Sequence, residues 1–137
     1  MATIQLPPDF EEFLRLLNSE KVDYLLVGGY AVGYHGYPRT TGDLDVWVAL
    51  REENAIRLAR ALEGFGFSPS SVAPETLLKE GRIVRMGVPP LRIEIINRIS
   101  GVEFDACYEA RVVDTLGEVQ VNLINLEHLK NNPLISI

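Results

Sequence analysis

Hydrophobic positions along this chain change their spacing several times, and each change marks an element. Phe10, Phe13, Leu14 and Leu17 recur at three- and four-residue intervals, which predicts a first helix from Phe10 to Asn18. Pro7-Pro8 precedes it, and Asp9 with Glu12 three positions on has the spacing of a capping box. Tyr24 to Val27 is a compact apolar run closed by Gly28-Gly29, the pattern of a buried strand entering a tight turn. Between Tyr30 and Tyr37 there is room only for a short helix, weakened by Gly33 and closed by Gly36 and Pro38.

From Leu44 to Leu50 the period becomes two, with Val46 and Val48 on one face and Asp45 and Trp47 on the other. Helical spacing returns from Glu52 to Glu63 through Ile56, Ala59 and Leu62, with Gly64 as the expected stop. Three serines and two prolines place a loop at 68–74. A short helix from Glu75 to Lys79 follows. Ile83–Met86 and Leu91–Ile96 read as strands joined through Val88-Pro89-Pro90. Phe104 to Arg111 reads as a helix, Glu118 to Leu123 as the last strand, and Leu126 to Lys130 as a short final turn. This order predicts an α+β (mixed α/β) class: one mixed sheet with helices packed against it, in a single minimal domain over 1–137.

Composition changes this picture little. Of 137 residues 47% are hydrophobic and 23% charged, an ordinary globular balance that excludes disorder and collagen-like repeats. No apolar stretch is long enough to cross a membrane, and the N-terminus lacks a secretion pattern, so a cytoplasmic protein is expected. The one cysteine, Cys107, has no partner for an internal disulfide and no Cys/His cluster for zinc. A net charge of −6 argues against strong binding of duplex nucleic acid. It leaves a small nucleotide open, because Arg82, Arg85, Arg92 and Arg98 cluster around a single acid, Glu94.

The candidate chemistry begins with Asp43 and Asp45. One residue apart at the start of a strand, they project from the same face while Leu44 and Val46 anchor the other. On the Leu91–Ile96 strand, Arg92 and Glu94 share a face opposite Leu91, Ile93 and Ile95. If the two strands are neighbours, Glu94 comes within about 5 Å of the aspartates. Two unit charges about 4 Å apart repel by on the order of 4 kcal/mol at an effective dielectric near 20, so such a group calls for protons or a cation. Oxygen-only ligands favour a hard cation, and magnesium is the usual one where phosphates complete the octahedron. The Gly28-Gly29 turn adds small residues that expose backbone amides to an anion.

The segment VGGYAVGYHGYPRTTGDLDVWV resembles the nucleotidyltransferase superfamily that includes the palm of DNA polymerase beta: Gly-Gly/Ser, a spacer, then Asp-x-Asp on a strand. GVPPLRIEIINRISGVEFDACYEAR is similar to the third-carboxylate strand and following helix of small prokaryotic members, among them abortive-infection and toxin–antitoxin proteins. The two segments span most of residues 24–111. The resemblance implies a nucleotidyltransferase-like fold and a magnesium-dependent transfer of a nucleoside monophosphate from an NTP to a hydroxyl acceptor. Carried over by residue, Gly28 and Gly29 hold the phosphates. Asp43, Asp45 and Glu94 are the catalytic and metal-binding carboxylates, with two metal ions about 3.5–4 Å apart. Arg39, Thr40 and Arg92 are further nucleotide contacts. Two departures stand out: Gly29 where many members have Ser, and Glu94 where Asp is usual. A basic C-terminal helix, common in such proteins, is not among these residues, so a small helical partner protein is a further expectation. The competing readings are a partner-dependent module of a toxin–antitoxin pair and a sensor that binds nucleotide without turnover. Trp47, on the carboxylate face, and His35 read first as packing residues, as do Cys107 and His128.

Overall fold

The computed structural model describes residues 5–37, 42–81, 83–88 and 91–131. The first helix, α1 (Pro8–Ser19), buries Phe10, Phe13, Leu14 and Leu17, the stripe that its spacing predicts. Its start differs from the expected capping box. Pro7 occupies the N-cap with no side-chain cap, and its carbonyl accepts the amides of Phe10 and Glu11 at 3.0 and 3.1 Å. Pro8 explains the shift, since a fixed φ and a missing N–H suit the first helical position. Asp9 therefore lies inside the first turn, where its charge favours the helix dipole.

Strand β1 (Tyr24–Val27) is buried throughout and runs directly into α2 (Gly28–Tyr34). That junction needs Gly28, whose φ of 69° lies in the left-handed region. The helix thus begins two residues before Tyr30 and ends at Tyr34, short of Tyr37. Next come β2 (Asp43–Val48) and α3 (Glu52–Phe65). The expected stop at Gly64 is overrun, and Gly66, at φ 123°, closes the helix instead. Gly64 answers to packing: a Cβ there would lie 3.0 Å from Leu16 of α1.

After α4 (Pro74–Leu77), the hairpin β3 (Ile83–Val88) and β4 (Leu91–Ile96) forms, followed by α5 (Phe104–Glu109). Strand β5 (Val112–Leu116) has no counterpart in the sequence reading. It lies at a sheet edge with Val113, Asp114 and Thr115 exposed, so it carries no alternating apolar signal. Strand β6 (Val119–Leu123) and α6 (Leu126–Asn131) complete the described chain.

The result is the mixed α+β architecture: one six-stranded sheet in the order β3-β4-β2-β1-β6-β5, with helices on both faces. Pairs β1/β6 and β2/β4 are parallel; β1/β2, β3/β4 and β5/β6 are antiparallel. Tyr24, Leu26, Leu44, Val46, Ile93 and Ile95 join the apolar sides of α1 and α3 in the larger core. On the opposite face Leu25, Val27 and Trp47 pack with Ala31, Ile99, Cys107, Ile124 and Leu129. No helix among the described residues is long and apolar enough to cross a membrane.

Candidate active site

Strand β2 is held between β1 and β4, and its register brings the chemistry together. Asp45 is paired on one side with Val27 of β1 and on the other with Glu94 of β4. Glu94 is in turn opposite Arg85 of β3. Directly paired residues face the same side of a sheet, so Asp45, Glu94 and Arg85 form one lateral row. One step along, Asp43, Arg92 and Gly87 form the next row. The condition set on the sequence, that the two carboxylate-bearing strands be neighbours, is met. Because Val27 is the last residue of β1, the buried Gly28-Gly29 junction leaves the sheet immediately beside the Asp45 row.

Burial divides this face. The row after Asp45, formed by Trp47 and Ile96, is roofed: Trp47 is 1% exposed and meets the ring of Phe104 edge-on at 5.1 Å. In the rows of Asp43 and Asp45 the two aspartates, Arg92 and Glu94 are half-buried, with the side chains of Asp43 and Glu94 37% and 21% exposed, and Arg85 and Gly87 at the rim are exposed. Solvent and ligands can therefore reach the carboxylates, while the strands beneath them are fixed by the core.

The carboxylates are met by arginines. Arg92 places Nε and Nη2 each 3.4 Å from the two oxygens of Asp43, and its Nη2 lies 3.9 Å from Oε1 of Glu94. Nε of Arg85 lies 3.5 Å from the same Glu94 oxygen. These pairs offset part of the repulsion within the acidic group, although exposed pairs contribute only up to about 1 kcal/mol each. Among the described residues no three His, Cys, Asp or Glu side chains stand close enough together to hold a metal ion. The donor type still suits magnesium, being oxygen alone, but in this arrangement positive charge comes from guanidinium groups.

Arg39 and Thr40 lie outside the described residues. The other singled-out side chains are packing groups. The ring of His35 bonds the carbonyl of Ile124 at 2.8 Å, and Trp47 is enclosed. Cys107 is buried, and burial pushes its thiol pKa up. A cavity of about 520 Å³ opens at the far end of β2 and β4, lined by Leu50, Arg51, Asn97, Arg98 and Phe104, and it does not reach the carboxylates. The residue the sequence reading left without a role is Arg85. Its position was implicit in the hairpin: with Val88 opposite Leu91, Arg85 must face Glu94.

No protein-family model matches this chain, and no curated protein matches it. Its architecture has a solved counterpart in a candidate nucleotidyltransferase from Thermotoga maritima, at 15% identity. The likeness covers 96% of this chain and 86% of that one with a TM-score of 0.61, which establishes that the two share a fold.

Proposed function

We propose that this chain is a magnesium-dependent nucleotidyltransferase that moves a nucleoside monophosphate from an NTP to a hydroxyl on a protein, an RNA or a small molecule. One observation carries the reading: the register that sets Asp45 between Glu94 and Val27, with the Gly28-Gly29 junction next in line. Acidic side chains and a glycine turn at one open end of a sheet are the parts that phosphoryl chemistry needs. The shared fold with the Thermotoga protein, which is described as a candidate nucleotidyltransferase, supports the general class of the reaction.

On this reading Asp43, Asp45 and Glu94, which do not stand close enough together in this arrangement to hold a metal ion, would have to draw together around magnesium, and the ion would supply charge stabilisation to the reacting phosphate. Glu94 takes the proton of the acceptor hydroxyl as that oxygen attacks the α-phosphorus. Gly28 and Gly29 receive the phosphates, with Arg39 and Thr40 nearby in sequence, and Arg92 donates N–H groups to developing negative charge. The bond from the α-phosphorus to the bridging oxygen breaks, and pyrophosphate leaves.

The test is the fate of label. Label on the α-phosphate is expected in an acceptor, and a small helical partner protein of the toxin–antitoxin kind is the first acceptor to try. Label on the γ-phosphate is expected in pyrophosphate. Glu94→Gln should lower transfer by about 100-fold or more while nucleotide affinity changes little. Transfer of γ-label would sink the assignment. A second reading, a sensor that binds nucleotide without turnover, is favoured by the arginines on Asp43 and Glu94. Tight binding with no transfer to any acceptor would select it.

A further inference from the structure

We propose that the cavity at the far end of β2 and β4 is a second ligand site, shaped for a small molecule that joins an apolar or aromatic body to one positive charge, such as a protonated arylalkylamine. It stands apart from the nucleotidyltransferase reading, because the row roofed by Trp47 and Phe104 lies between the cavity and the carboxylates.

The walls are fixed by the fold itself. The Val102 amide donates to the Ile99 carbonyl at 3.2 Å, closing a turn in which Gly101 takes a φ of 76°. Ile99, 6% exposed, anchors that turn in the second core. Asn97 bonds the Lys79 carbonyl and the Gly81 amide, and so fixes Glu80 between them. The space enclosed is about 520 Å³, within the range of about 300–1,000 Å³ that small-molecule sites occupy. Its apolar lining is Trp47, Leu50, Ile99, Val102 and Phe104, enough to take up a ring or a short hydrocarbon. Its charged lining is mostly paired. Nη1 of Arg51 lies 2.7 Å from Asp105, and Nη1 of Arg98 lies 2.9 Å from Glu80. Glu103 is the lining charge left without a partner among the described residues. Three carboxylates against two guanidinium groups leave negative charge in excess, which repels a phosphate and attracts an ammonium group. The half-buried ring of Phe104 adds its own attraction for a cation. Glu103 then holds the charge of the ligand at the rim, while its body displaces water from the apolar wall.

Trp47 is the one tryptophan of the chain, so a single emission band and a single indole N–H resonance report on the cavity wall. The experiment titrates the full chain with phenethylamine, phenethyl alcohol and hydrocinnamate, which share a body and differ in charge. The amine is expected to shift both signals saturably and to bind about threefold to tenfold more tightly than the alcohol, with the carboxylate weaker still. Glu103→Gln, at an exposed position, should remove the preference for the amine and leave the affinity for the alcohol unchanged. Glu118→Gln removes an exposed carboxylate outside the cavity and should leave the preference intact. Thermal melts confirm that each variant is folded. If no probe moves either signal saturably, the cavity is not a ligand site and the inference is overturned. An amine bound no better than the carboxylate, or a preference that survives Glu103→Gln, overturns it as well.

Discussion

Asn54 and Asn97 are the polar side chains buried in the described core, 2% and 6% exposed, and each satisfies three backbone groups. Oδ1 of Asn54 accepts the Asp23 amide at 2.7 Å, and its Nδ2 donates to the carbonyls of Asp23 and Ala49 at 3.1 and 3.0 Å. This one side chain thereby ties the entrance of β1 to the exit of β2. The tie has a functional consequence, because a one-residue slip between those strands would turn Asp43 and Asp45 into the core. Asn97 does the same for the turn after α4, through Leu77, Lys79 and Gly81. Asn54→Leu leaves those backbone groups without their partner and is expected to cost about 2 kcal/mol or more in urea unfolding. The Glu11–Arg15 pair, 2.6 Å apart with the arginine exposed, should cost no more than about 0.5 kcal/mol when Arg15 is changed to Ala. Equal losses at the two positions would remove the case for Asn54 as the tie.

Strand β5 is held to the rest of the molecule partly by a single exposed bond, in which the hydroxyl of Tyr34 on α2 donates to Asp114. That bond lowers the Asp114 carboxyl below its ordinary range and raises the Tyr34 hydroxyl above its own. For Asp114 the contribution is present above the unfolded value, about 3.9, and is lost as pH falls through the lower folded value. For Tyr34 it is present below about 10 and is lost as pH rises through the raised value. Tyr34→Phe should raise the Asp114 pKa, read by NMR, toward the ordinary carboxylate range, while the Thr115 amide still holds it down, and an unchanged titration would refute the coupling. The same strand marks where the sequence stops being legible. Elements with a buried stripe, such as α1, β1, β2 and β4, could be read because one face must be apolar. Three consecutive exposed residues in β5 supply no such pattern. At the site, the shared face of Asp43 and Asp45 followed from strand period alone, whereas Glu94 joins them only because β2 and β4 are neighbours, which the sequence left as a condition. The guanidinium contacts did not, since which oxygen an arginine chooses depends on rotamers that sequence does not encode. Gly64 shows the reverse error: a glycine read as a helix stop was there to admit Leu16.

At the scale of the whole molecule, the sheet is sealed by cores on both faces, and the carboxylate rows are left open at one end. A ligand bound there bridges β1, β2, β3 and β4 and should stabilise the entire fold. Magnesium with an NTP is expected to do so more than either alone. The gain is about 2.7 kcal/mol at one hundred times the dissociation constant, or roughly 10 °C in Tm for a chain of this size. A Tm indifferent to every magnesium–NTP pair would count against the site. The topology also sets a timetable for assembly. Strand β1 meets β2 soon after it in the chain, but its other edge waits for β6, where Leu26 pairs with Leu123. A nascent chain on the ribosome can therefore form the β1–β2 ladder, the β3–β4 hairpin and the whole carboxylate face before β6 exists. Through that interval the strand that ends at the glycine turn presents an unpaired, wholly apolar edge. The carboxylate end of the sheet is then the part made early, and the closing of the exposed β1 edge waits for β6.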